Sequence, residues 1–385
     1  MVHSDMAITS ELAIYNETKP EESIMPSLYG RYYSKAELLE RVGDISQVGG
    51  VRRYVLADGS ESGVEVAEFR TGTGFNFNVL LSRGMDISLC EYKGMPLSWR
   101  SPTGDVGPSY YEPLGFGWLR SFHGGLVVTC GMTHAGAPCE DMGKELGLHG
   151  RASNIPAKNT WVDGEWQGDD YVMWAQGRVR EAAVFGENVC MTRRVWARLG
   201  ESRLFLHDVV ENLGFEPIEH MYLYHINIGF PIVDEGAELL SPSVSVRPRD
   251  EEAEKGKEDY GRFSRPMPGY KEKVYYHEMG SDREGNVYVA LVNRRLGEGF
   301  GIYVKYPKAE LPRFVEWKMM GQGTYVVGLE PSNCLVEGRA KERERGTLMF
   351  LGPWEKKEYR LEIGVLSSSE DIRNIEAKVI RCRED

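Results

Sequence analysis

The sequence predicts an all-β protein, a large antiparallel β-sandwich with a short helical arm at its N-terminal end. Three observations carry this expectation. From about residue 51 onward, short apolar runs recur between Gly, Asn, Asp and Pro punctuation, and Phe75-Asn76-Phe77-Asn78-Val79 alternates strictly, as a half-buried strand does. The 44 Gly and 20 Tyr suit hairpin turns and pleated surfaces. No regular alternation of strands with long helices is visible, which disfavours a parallel α/β sheet.

Taken in order, the first 25 or so residues are polar and aperiodic and read as an arm. Ser34, followed three residues on by Glu37, forms a capping box ahead of Leu38, Leu39 and Val42, so a short helix is expected there. Strands are expected over 63–69, 75–81, 126–129, 172–175, 203–210, 220–226, 287–292, 301–306, 325–329 and 357–365. The charge run 249–259 has no apolar face and reads as a solvated loop; 339–345 reads as a polar turn before a strand. The expected organisation is an arm over residues 1–50 and one β domain over 51–385.

Composition narrows the functional classes. The chain has 385 residues, is 41% hydrophobic, and carries 58 acidic against 46 basic residues, a formal charge of −12. That supports a sizeable core and argues against a nucleic-acid binder, which needs a basic stripe. No run approaches the roughly 18–20 apolar residues of a membrane span. The N-terminus lacks a basic segment followed by an apolar one, so a cytoplasmic location is expected. Six scattered cysteines read as free thiols of a reducing compartment.

Several segments carry groups suited to chemistry. His225 follows Tyr222-Leu223-Tyr224 and leads into Asn227, Gly229, Phe230 and Pro231, so a strand end would present a titratable ring and an amide to a cleft. His149 and Arg151 sit in Gly147-Leu148-His149-Gly150-Arg151, where glycines permit close backbone approach to a ligand. Trp118, Arg120 and His123 in 117–125 add an indole to the same chemistry, and Arg83 with Asp86 follows a strand. Aromatic platforms beside Arg, His and Asp suit a pyranose, whose C–H faces stack while its hydroxyls take directed hydrogen bonds. Glu330 closes the apolar run 325–329 before Pro331, a setting for a base of raised pKa. Cys130, His134 and Cys139 lie within ten residues, but their spacing matches no structural zinc pattern, and no metal is assigned. Nucleotide-binding, P-loop, HExxH and GxSxG motifs do not occur, which weakens dehydrogenase, kinase, metalloprotease and α/β-hydrolase readings.

Over roughly residues 50–367 the sequence resembles the aldose 1-epimerases of the galactose mutarotase-like superfamily, as a divergent branch. The resemblance rests on Leu148-His149-Gly150, on His225 leading into Asn227 and Phe230, on Gly328-Leu329-Glu330-Pro331, and on Asp208–Gly214 ahead of the histidine. It implies a β-supersandwich. It also implies that His225 is the general acid on the ring oxygen and Glu330 the general base on the anomeric hydroxyl, with His149 holding substrate or sharing the acid role. The Asn-His-x-x-Phe-Asn segment usual there is replaced by Tyr224-His225-Ile226-Asn227-Ile228-Gly229-Phe230. Arg151, Arg83, Asp86, Trp118, Arg120, His123 and Asn227 are the expected substrate binders. The expected reaction is anomer interconversion of a monosaccharide or sugar derivative without a cofactor, in a chain that would form a homodimer. Two alternatives stay open: a C2/C3 isomerase or epimerase, metal-assisted through Cys130, His134 or Cys139, and a carbohydrate-binding protein without turnover.

Overall fold

Alternating apolar patterns and frequent turns do produce antiparallel sheets. The structure, a computed structural model, describes residues 25–384; the greater part of the expected N-terminal arm lies outside the described residues. One sheet has eight strands in the spatial order Lys158–Gln167, Asp170–Ala182, Asn188–Arg198, Arg203–Asn212, Lys356–Leu366, Phe300–Pro307, Asn286–Asn293 and Ala237–Leu240. A seven-stranded sheet runs Ser243–Pro248, Lys273–Met279, Arg313–Met320, Tyr325–Ser332 and Ile218–Gly229, and the last of these also pairs with Met349–Leu351 and Val128–Met132. A five-stranded sheet comprises Gly50–Val55, Glu65–Arg70, Phe75–Leu80, Asp86–Tyr92 and Met95–Pro96. Pairing in the two largest sheets is antiparallel.

All ten expected strands exist, mostly longer than expected. His225 and Glu330 therefore sit within strands and not at their ends: Ile218–Gly229 runs four residues past His225, and Tyr325–Ser332 continues through Pro331. The helix Lys35–Leu39 begins with the expected capping box between Ser34 and Glu37. Leu28 and Leu38 enter the same core as the sheets.

Helical content beyond the arm corrects the sequence reading. Segment 339–345 is the helix Arg339–Arg345, closed by Gly346 in the left-handed region, and the charge run contains the single turn Glu251–Glu254 capped by Asp250. The chain ends in a helix, Ser369–Glu384, whose Ile372, Ile375, Val379 and Cys382 bury against Tyr288, Ala290, Val292 and Leu366. Their spacing follows the helical period, so this element was readable in the sequence.

The main core lies where Tyr222, Tyr224, Ile226 and Ile228 meet Met191, Leu206 and Leu361 of the eight-stranded sheet. The alternate residues of the same strand, including Leu223, face a second apolar cluster with Trp99, Trp118, Phe122 and Val128. Both faces of this strand are therefore buried, which removes the polar alternation of a surface strand. On the core side a buried ion network braces it. Arg193 contacts Asp208 at 2.6 Å and Asp86 at 3.1 Å, and the Tyr222 and Tyr224 hydroxyls donate to Asp208 at 2.7 and 2.6 Å.

Candidate active site

The register of two neighbouring strands builds the centre of the site. Leu223 pairs with Ser332, Ile226 with Leu329 and Asn227 with Gly328, so His225 stands opposite Glu330 on one face. Their side chains meet: His225 Nε2 is 3.2 Å from Glu330 Oε1. The approach is not aligned as a hydrogen bond, and Glu330 Oε1 is a buried acceptor without a partner. Gly328 makes the meeting feasible, because a Cβ there would lie 2.6 Å from Glu330 Oε1 and 3.3 Å from His225 Cε1.

Aromatic rings enclose this pair. Phe122 lies edge-on to His225 with centroids 5.3 Å apart and stacks on Trp118 at 4.4 Å, while Trp317 meets His225 at 5.2 Å. The His149 ring lies 5.7 Å from that of His225 and 4.8 Å from that of Trp118. The three residues singled out for acid–base work, far apart in the sequence, thus converge. His149 takes a positive φ of 56°, and its Nδ1 accepts from the Gly136 N–H at 3.4 Å, which leaves the proton of the neutral ring on Nε2.

Burial sets the resting charges. It lowers the His225 pKa to about 4 and pushes the Glu330 carboxyl well above the usual carboxylate range, Glu272 adding to the rise and Arg249 opposing it. His149 is held well below the usual imidazole range by burial and then by the His225 ring. Both shifts disfavour the charged forms, whereas a general acid at His225 and a general base at Glu330 call for an imidazolium and a carboxylate. Water exclusion by the aromatic cover explains the shifts: both charged forms lose their hydration.

The other expected binders divide by location. Trp118 belongs to the cover over the trio. Asn227 lies beside it but is wholly buried, its Nδ2 donating to the His225 carbonyl at 3.0 Å. Arg83 is buried elsewhere, donating to the carbonyls of Ser153, Ser121 and Val106, so its donors clamp loops. Asp86 is part of the Arg193 network and accepts from Thr129. His123 is fully buried, and burial followed by Arg83 lowers its pKa to about 3. Arg120 is exposed and paired with Glu112 at 3.2 Å. Arg151 is exposed and borders a cavity on the far side of the His149 loop. The glycines of that loop serve chain packing, since a Cβ on Gly147 would strike the Pro113 carbonyl and one on Gly150 the His134 carbonyl.

Among the described residues no three His, Cys, Asp or Glu come together as a metal site, so Cys130, His134 and Cys139 do not form the three-ligand centre left open above. All six cysteines are free thiols. No helix among the described residues is long and apolar enough to cross a membrane. Phe122, Trp99 and Trp317 were not singled out in the sequence, and Gly328 was noted only beside Glu330 and not for its place against His225. Trp317 pairs with Gly328 across neighbouring strands, and its indole N–H donates to Glu272 at 2.8 Å.

The antiparallel sheets have the galactose mutarotase-like fold. The chain superposes on a Klebsiella pneumoniae protein provisionally named an aldose 1-epimerase with a TM-score of 0.83 and 26% identity, covering 87% of this chain and 88% of that one. A galactose mutarotase-like protein from Clostridium acetobutylicum gives 0.59 at 12% identity, over 83% and 99% of the two chains. The galactose 1-epimerase of Lactobacillus acidophilus gives 0.52 at 12% identity over the same shares, and these two likenesses concern the fold alone. None of the curated proteins matches in sequence. Residues 61–365 match the family described as a domain of unknown function, DUF4432, and the chain belongs to that family.

Proposed function

We propose that the protein is an isomerase that interconverts the anomers of an aldose. The observation that carries the reading is the contact between His225 Nε2 and Glu330 Oε1 at 3.2 Å within an aromatic enclosure that also holds His149. This pair holds one mobile proton. Transfer from Glu330 to His225 gives a carboxylate and an imidazolium, and the hydroxyls of a bound sugar favour that charged form by hydrogen bonding to it.

Glu330 then takes the proton of the anomeric hydroxyl while His225 gives its proton to the ring oxygen. The C1–O5 bond breaks, O1 becomes the aldehyde oxygen, and rotation about C1–C2 exposes the other face. Ring closure runs the transfers backwards: His225 takes the proton of the O5 hydroxyl, and Glu330 gives its proton to O1. An acid and a base placed this way contribute about 10²–10⁴-fold each. The His149 Nε2–H is a neutral donor that orients the sugar. Because His225 and Glu330 are 5% and 2% exposed, the Trp118–Phe122 cover must shift for a pyranose to reach both.

Polarimetry and NMR of anomer equilibration over a panel of aldoses test the proposal, with His225→Ala and Glu330→Gln as variants. Loss of acceleration in both is expected; rates equal to wild type in both remove the pair from the mechanism. Solvent deuterium appearing on carbon would favour isomerisation at C2 or C3, since anomer exchange touches only hydroxyl protons.

A further inference from the structure

The segment that covers the acid–base trio has a second, outer face. Between Val106 and His123 the chain carries a single acid, Glu112, and a single base, Arg120, in a protein whose formal charge is −12. Trp118 and Phe122 turn inward, 3% and 7% exposed, into the cluster around the trio. Tyr110, Leu114, Phe116 and Leu119 of the same segment are 58%, 53%, 67% and 50% exposed.

Backbone geometry brings these groups together. The chain folds back at Gly117, where a Cβ would lie 2.5 Å from the Glu112 carbonyl oxygen. Gly117–Arg120 is a 3₁₀ turn in which the Leu119 N–H donates to the Phe116 carbonyl at 3.1 Å. Residues three apart eclipse in that geometry, so Phe116 and Leu119 lie side by side. Arg120 Nε meets Glu112 Oε2 at 3.2 Å across the fold, with side chains 73% and 60% exposed. The segment is also pinned: the Tyr111 hydroxyl donates to the Gly150 carbonyl at 2.8 Å and the Leu148 N–H to the Gly115 carbonyl at 2.9 Å. A surface held this way loses little freedom when a partner docks on it.

Charge and area select the partner. An exposed ion pair within one chain contributes little by itself, and its guanidinium keeps donors for a second carboxylate. One acid and one base beside an apolar patch make a surface complementary to itself: across a two-fold axis Arg120 meets Glu112 of the partner subunit, and the reverse contact is identical. At about 150–250 Å² for a whole aromatic side chain, the four apolar groups leave on the order of 400 Å² open. Two copies would then cover about 800 Å² of apolar surface, close to the apolar share of a standard interface of about 1,600 Å². We infer that the outer face of segment 110–120 is a two-fold interface between copies of this chain, with Phe116 and Leu119 at its centre and the Arg120–Glu112 contacts at its rim.

The inference stands apart from the proposed reaction, and its test reads mass and not activity. Sedimentation equilibrium of the full-length chain across micromolar concentrations should show a reversible dimer. Phe116→Asp combined with Leu119→Asp should weaken it about 30-fold or more, since central anchors carry most of such an interface. Arg120→Glu alone and Glu112→Arg alone each set like charges against one another twice across the axis, and each should weaken the dimer about tenfold or more. All four side chains are exposed, so the substitutions leave the core intact. One charge variant has two acids at the pair and the other two bases, so mixing them equally restores both attractions. Native mass spectrometry, with one variant ¹⁵N-labelled, should then show the mixed dimer in excess of either like pair; an attraction confined to one chain would not be rescued by mixing. A monomer at every concentration, a dimer of unchanged strength in the Phe116→Asp, Leu119→Asp chain, or a mixture no stronger than its components overturns the interface.

Discussion

A methyl group at position 328 is the sharpest perturbation of the proposed proton pair. The Cβ of Gly328→Ala would lie 2.6 Å from Glu330 Oε1, 3.0 Å from Trp317 Cβ and 3.3 Å from His225 Cε1. To reach ordinary contact the carboxylate oxygen must retreat by about 0.8 Å, in a packed setting where overpacking costs about 1–3 kcal/mol. Trp317 and the neighbouring strand block movement along the sheet, so the retreat alters the contact with His225. A displacement near 1 Å costs on the order of 10²-fold in rate for a positioned acid–base pair. Wild type and Gly328→Ala are compared by polarimetry on whichever aldose the wild type equilibrates, with thermal unfolding measured alongside. A rate loss of about two orders of magnitude, with the variant folded at assay temperature, is the expected outcome. A folded Gly328→Ala with the wild-type rate would refute the claim that the spacing of this pair governs the chemistry.

Four further outcomes follow from the buried charges. Asp208→Asn leaves Arg193 less compensated in the core and should lower unfolding stability by about 3–5 kcal/mol in denaturant titration, because Asp208 also accepts from Tyr222 and Tyr224. Glu272→Gln removes a negative neighbour that raises the Glu330 pKa, so that pKa should fall, as read by carboxyl ¹³C NMR, and the Trp317 indole N–H resonance should shift as its partner changes. Burial lowers His134, His220 and His225 to about 4, so the unfolded chain binds more protons than the folded one below the normal histidine pKa. Their contribution to stability is lost as pH falls from about 6.5 through about 4. Glu181 has the opposite sign: its pKa rises to about 7, so its contribution falls as pH climbs from the ordinary glutamate range toward 7. Glu181→Gln should flatten that limb in a pH series of thermal unfolding.

How much of this was readable in the sequence depends on which interactions are local. Strands announced themselves by alternation and turn residues, and the Ser34–Glu37 capping box was legible because both partners lie within one helical turn. The strand Ile218–Gly229 was legible only in part, since both its faces are buried and no polar beat marks its end. His149, His225 and Glu330 were recoverable through resemblance and local setting, yet their proximity is a product of register, which a single sequence does not state. Arg83 and Asp86 misled for a related reason. A polar pair after a strand looks the same whether it faces a ligand or closes a buried network, and here distant carbonyls and Arg193 complete their hydrogen bonding.

The protonation of the central pair was the least legible feature, and it bears most on mechanism. Resemblance assigns roles to His225 and Glu330 but not the solvation that sets their pKa values. Phe122, Trp118 and Trp317 arrive from two separate parts of the chain and together exclude water from the pair. In that enclosure burial disfavours the charged form of each partner. Opening the cover should therefore act on the proton as well as on access. Trp118→Ala, by hydrating the pair, should raise the His225 pKa from about 4 toward the normal histidine range, as followed by ring NMR titration. An unchanged His225 titration in the folded variant would mean that the strands themselves, and not the aromatic cover, hold the imidazole neutral.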